Sequence, residues 1–230
     1  TAVTVQNTVG VSEVHVVPVS VLEGQIAAVL SDIGADAVKI GMLPSSEAMM
    51  IVKKSLQIYG IQNSVLDPVM VSTSGRKLMD DQAIATLKNE LLHAVRIITP
   101  NLPEAGMLLG RGISNRDEMP LVARELSDNR KVSVLLKGGH LDGDELTDVL
   151  YNAETDEILE FKSYRIATCN THGTGCVLSS SIAAFLAKGH TLNDAVRNAK
   201  EYTDGAIRAG AAYEIGKGHG PVHHFYGFWK

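Results

Sequence analysis

The chain has 230 residues, long enough for one large α/β domain with a substantial core and rather short for two. Hydrophobic residues at 45% and charged residues at 20% exclude a disordered or collagen-like chain, and a net charge of −5 without any basic run excludes a surface built for nucleic acid. The two cysteines, Cys169 and Cys176, are too few for a disulfide framework or a zinc site, and no apolar run reaches bilayer length, so a cytoplasmic protein without a membrane partner is expected.

In chain order, Thr1 is not an initiator and Ala2–Val5 already reads as a strand, so a segment upstream is expected to be missing. Further β-branched runs follow at Ala37–Ile40, Ser64–Asp67, Arg96–Thr99 and Val132–Lys137, each separated from the next by a segment of helical period. That alternation predicts successive βα units and a mainly parallel sheet with helices on both faces. An antiparallel pair is expected near Asp148–Asn152 and Ile158–Phe161. Ser114, three residues before Asp117, and Thr191, three before Asp194, have the spacing of helix caps, and Gly60 and Gly189 stand where helices close. Without a repeat or a linker rich in Pro, Gly or Ser, residues 1–230 read as one domain.

In open parallel sheets the loops beyond the carboxyl ends of the strands converge on a ligand. Here those ends supply Asp67, Asn101, Glu104 and Lys137, an acid, an amide, a second acid and a lysine on one edge. The sharpest local feature is Asn170-Thr171-His172-Gly173-Thr174-Gly175-Cys176, a glycine-rich turn that opens an apolar helix. Two glycines let the backbone approach an anion, and the free amides and macrodipole of the first turn favour negative charge, as in a phosphoryl group in transfer. A turn of this kind also serves simply to start a buried helix, and Cys176 reads equally as a small buried residue. The thiol at the first turn, where the dipole favours the thiolate, is what draws a chemical reading.

These segments, with Val5-Gln6-Asn7-Thr8-Val9-Gly10-Val11, Lys39-Ile40-Gly41-Met42-Leu43, Leu66-Asp67-Pro68-Val69-Met70, Thr99-Pro100-Asn101-Leu102-Pro103-Glu104, Leu136-Lys137-Gly138-Gly139-His140 and the tail Gly216-Lys217-Gly218-His219-Gly220-Pro221, resemble the hydroxymethylpyrimidine/phosphomethylpyrimidine kinase family of the ribokinase superfamily. The resemblance implies a ribokinase-like fold and the ATP- and Mg2+-dependent phosphorylation of the thiamin pyrimidine and of its monophosphate. It implies an anion hole of Gly173, Thr174, Gly175 and Cys176, with Cys176 where most ribokinase-like enzymes carry an aspartate. Lys137 would neutralise the transferring phosphate, while Asn101, Thr174 and Gly175 would join it around the nucleotide. Asp67 and Glu104 would serve magnesium, and Gln6, Met42 and Val69 would meet the pyrimidine. A homodimer is implied as well, and the family's opening strand and Ser-Asp-containing loop are expected to be absent from this chain.

Three alternatives stand beside this reading: a pyridoxal kinase of the same subfamily, a non-catalytic nucleotide- or pyrimidine-binding module, and a domain of a bifunctional thiamin enzyme. His140, His172, His223 and His224 lack the spacing of a zinc site and read as surface or structural histidines.

Overall fold

The computed structural model describes residues 1–71, 78–129, 131–139, 141 and 143–229. Six strands form the central sheet in the order β3 (Val38–Ile40), β4 (Ser64–Leu66), β5 (Ile97–Ile98), β6 (Ser133–Leu136), β7 (Glu145–Asn152) and β8 (Glu157–Tyr164). The first three pairings are parallel and the last two antiparallel. The fold is therefore α/β with a mainly parallel sheet, and the strands expected at Ala37–Ile40, Ser64–Asp67, Arg96–Thr99 and Val132–Lys137 form its parallel half.

The strands are short and apolar because both of their faces are covered. Successive side chains alternate, so Val65, Ile97, Leu135 and Leu150 face one side, where α6 (Thr174–Ala187) and α7 (Leu192–Gly210) supply Leu178, Ile182, Leu186, Ala195, Val196 and Ala199. Leu66, Ile98, Val134, Leu136, Val149 and Tyr151 face the other side. There they meet a larger core built with α1 (Val19–Asp32), α2 (Ser46–Ile58), α3 (Asp81–Thr86), α4 (Leu102–Leu109) and α5 (Met119–Leu126).

Two expectations need correction. The strand at Ala2–Val5, extended to β1 (Ala2–Gln6), does not join the central sheet; it pairs antiparallel with an unexpected β2 (Val11–Val16) in a separate ribbon. The cause is local: the Asn7 side chain accepts from the Val9 and Gly10 amides and the Asn7 amide donates to the Gly10 carbonyl, closing a turn that reverses the chain. The helix entry assigned to Ser114 is capped instead by Asn115, whose side chain accepts from the Asp117 amide while Glu118 accepts from the amides of Ser114 and Asn115. The capping box is one residue later because Asn115 and Glu118 supply both of its side chains. Thr191 does cap α7, accepting from the Asp194 amide, and Gly60 and Gly189 adopt the left-handed conformation after their helices.

Candidate active site at the carboxyl edge of the sheet

Asp67 follows β4 directly and is 2% exposed. One carboxylate oxygen accepts from Thr99 Oγ1 at 3.3 Å and from Lys137 Nζ at 3.1 Å; the other accepts from Ser179 Oγ at 3.4 Å. Lys137 follows β6 in the same way, its amide held by the Pro100 carbonyl at 2.9 Å, and its side chain is 16% exposed. Burial alone would weaken the ammonium, but Asp67 and Glu104 outweigh it and hold the lysine above its ordinary pKa. Lys137 is thus a fixed positive charge at neutral pH.

Asn101 and Glu104 start α4 with a reciprocal capping box, each side chain accepting from the other's amide at 2.8 Å. Glu104 is 6% exposed, and burial raises its carboxyl to about 7, against the pull of Lys137 and of the Asn101 amide. A buried carboxyl raised toward neutrality beside an acid and a lysine at the carboxyl edge of a sheet is the pattern of a candidate functional site.

The glycine-rich turn meets this cluster. Gly173, at φ +79°, is the N-cap of α6 and offers no side chain to it; the Thr174 amide donates to the Thr171 carbonyl at a long 3.4 Å, and the amides of Gly175 and Cys176 receive no side-chain cap. A methyl group placed on Gly175 would lie 3.4 Å from Lys137 Nζ and 3.6 Å from Asp67 Oδ2, the oxygen that accepts from Ser179, which shows how closely the turn approaches those charges. Cys176 is exposed at the same helix end, and Thr174 and Gly175 are half-buried beside it. Asn170 braces the turn from below, donating to the carbonyls of Gly210 at 2.8 Å and Tyr213 at 2.7 Å.

The residues assigned to a ring do not all gather. Gln6 and Met42 line one cavity of about 570 Å³ between the ribbon, α1, α2 and the edge strand β3, together with Ile40 and Gly41. Val69 lies outside that cavity; it is half-buried and its amide donates to the Asp67 carbonyl. Gln6 is linked to the glycine turn by a contact of 3.2 Å between its Nε2 and His172 Nε2. A larger, shallower depression of about 1050 Å³ beside α4 is lined by none of the assigned site residues.

Ser179, Thr99 and Asn170 went unassigned in the sequence. The signal for Ser179 was its spacing four residues after Gly175, which puts both on one helix face. His172 was set aside with the other histidines, and its contact across 166 residues with Gln6 has no trace in local spacing. His140 lies outside the described residues. Among the described residues no group of three or more His, Cys, Asp or Glu is arranged for a metal, and no helix is long and apolar enough to cross a membrane.

The phosphomethylpyrimidine kinase family model matches residues 1–223. The chain belongs to this family. As a phosphomethylpyrimidine kinase family member it is a phosphotransferase of ribokinase-like fold. It is 45% identical over its whole length to the hydroxymethylpyrimidine/phosphomethylpyrimidine kinase of Rhizobium meliloti, covering 86% of that protein. It is 44% identical over 97% of its length to a thiamine biosynthesis bifunctional protein of Geobacter sulfurreducens, of which it covers 45%. Among solved structures, a phosphomethylpyrimidine kinase from Clostridium difficile 630 is 38% identical with a TM-score of 0.77, covering 90% of this chain and 84% of that one. A Staphylococcus aureus pyridoxal kinase in complex with AMP-PCP and pyridoxal is 29% identical with a TM-score of 0.87, covering 99% of this chain and 81% of that one.

Proposed function

We propose that this family member transfers the γ-phosphoryl group of ATP to the hydroxyl of 4-amino-5-hydroxymethyl-2-methylpyrimidine, and then to the phosphate of the product, as a step of thiamin biosynthesis. The observation that carries the reading is the meeting of the uncapped α6 N-terminus with Lys137 and Asp67 at the carboxyl edge of the sheet. In this reading the amides of residues 173–176 hold the oxygens of the group in transfer, and Lys137 offsets their growing charge. Cys176, exposed at the helix end, takes the hydroxyl proton as the oxygen–phosphorus bond forms and the bond to ADP breaks.

Asn101, Thr174 and Gly175 line the nucleotide side. Gln6 pairs with the aminopyrimidine edge through an amide that both donates and accepts, with Met42 as the apolar neighbour in the same cavity; Val69, which stands outside that cavity, has no contact with the ring in this arrangement. Mg2+ accompanies the nucleotide. The donor set suits it, since two buried hard carboxylates, Asp67 and Glu104, match a hard cation bound through few protein oxygens. Bound there, it would neutralise phosphate oxygens during transfer, and Asp67 and Glu104 are the residues that would hold it. Residues 1–230 act as one domain, in a cytoplasmic homodimer.

Pyridoxal phosphorylation is the second reading, favoured by the TM-score to the Staphylococcus aureus enzyme; the higher identity to the pyrimidine kinases weighs against it. Steady-state kinetics with the pyrimidine alcohol, its monophosphate and pyridoxal offered in parallel decides between them. The expected result is a kcat/KM for both pyrimidines well above that for pyridoxal, and the reverse order overturns the assignment.

A further inference from the structure

Lys137 is gripped on both sides by the backbone. Its own amide donates to the Pro100 carbonyl at 2.9 Å, and the next amide, that of Gly138, donates to Asp148 Oδ1 at 2.8 Å. Gly138 lies so close to β7 that any side chain would overlap the Thr147 carbonyl oxygen, so the backbone here packs directly against β7. The other oxygen of Asp148 accepts from Lys200 Nζ at 2.6 Å, from the middle of α7. Both partners are almost wholly buried, at 8% and 9% exposure. Asp204, one turn further along α7, faces the same pair; its carboxyl is raised by burial and by Asp148, against the pull of Lys200 and Arg208.

A buried ion pair is a costly way to hold a loop, since two apolar residues of the same volume commonly serve stability as well or better. Its distinctive contribution here is a full negative charge, fixed from beneath, that receives the amide following Lys137. That charge also adds to the field that keeps Lys137 protonated, behind Asp67 and Glu104.

We infer that Asp148 and Lys200 are positioning residues for phosphoryl transfer: the pair sets the peptide after Lys137 and so aims its ammonium at the α6 turn. Neither residue touches the reacting atoms. The inference rests on the role given to Lys137 above, and its test separates the two.

The variants Lys137→Met, Asp148→Asn, Lys200→Met and Lys200→Arg are compared in full-length chain, with the folded fraction counted by circular dichroism. Asp148→Asn keeps the volume and an acceptor for the Gly138 amide, so it tests the charge even where Lys200→Met fails to fold. The expected result is a fall in kcat of about tenfold or more for Asp148→Asn and Lys200→Met with KM for the pyrimidine little changed, and recovery of most of the rate in Lys200→Arg. If Asp148→Asn and Lys200→Met lower only the melting temperature and leave kcat intact, the pair is structural and the inference fails. If Lys137→Met itself turns over normally, the role of Lys137 fails first, and the positioning role falls with it.

Discussion

Cys176 and Glu104 are the single side chains on which the proposed chemistry is most directly tested. At the exposed end of α6 the thiol has no structural duty in packing, so Cys176→Ala is expected to leave the unfolding free energy within about 0.5 kcal/mol of the parent while abolishing turnover. Kinetics and nucleotide binding on one preparation check this; full activity in the variant removes the thiol from the mechanism. Glu104 makes the opposite trade. Its carboxyl titrates at about 7 when folded, against 4.5 when unfolded, so the two states bind protons alike below pH 4.5. Between pH 4.5 and 7 the unfolded chain ionises first and stability falls as pH rises; above 7 a penalty of roughly 3 kcal/mol persists. Glu104→Gln is therefore expected to melt higher than the parent at pH 8 in the presence of a chelator, with the gap closing toward pH 4, and to be a poorer kinase. A melting difference that does not change with pH would falsify this account.

At the scale of elements, the ribbon of β1 and β2 depends on a segment more than two hundred residues away. The Thr8 hydroxyl accepts from the amides of Lys217 and Gly218, and the Thr8 carbonyl accepts from His219. The tail then turns past Asn170, and the Gly220 carbonyl accepts from the His172 amide. One strap thus ties the ribbon that bears Gln6 to the glycine turn. Gly218 packs so closely on Thr8 that a methyl group would overlap its carbonyl, so Gly218→Ala is expected to displace the ribbon and raise KM for the pyrimidine severalfold with a smaller effect on KM for ATP; equal effects on both would argue against a link through Thr8.

The parallel strands and their helices were legible in the sequence because each strand must bury both faces and each helix one, leaving period-coded apolar runs. The ribbon was not, because exposed Val3, Val5 and Val16 carry the same β-branched signature as core strands, and the reversal rests on one asparagine side chain. The site divides along the same line. Asp67, Lys137 and Glu104 each stand just past a strand and could be placed by topology, whereas the His172–Gln6 contact and the Asp148–Lys200 pair join segments with no common periodicity.

For the whole molecule, the sheet separates two cores, and the one beneath α6 and α7 supports the glycine turn directly. Leu135, fully buried there on the strand that leads into Lys137, is a point where the core meets the proposed site. Leu135→Ala is expected to destabilise the fold by about 2–5 kcal/mol, read by denaturant unfolding, with the same residual activity per folded molecule at low temperature. A selective loss of activity at full folding would mean that this core tunes the site as well as supporting it.

The switch from parallel to antiparallel at β6 has a further effect. β7 leaves from the edge where Lys137 stands, runs to the opposite rim, and β8 brings the polypeptide back on a register of eight matched pairs to deliver the glycine-rich turn. The hairpin bend at residues 153–156 is therefore the remotest point of a round trip that departs from and returns to the edge holding the proposed site. Foreign peptide grafted into that bend would hang from the far side of the molecule, a ready handle for tethering or labelling with the chemistry undisturbed.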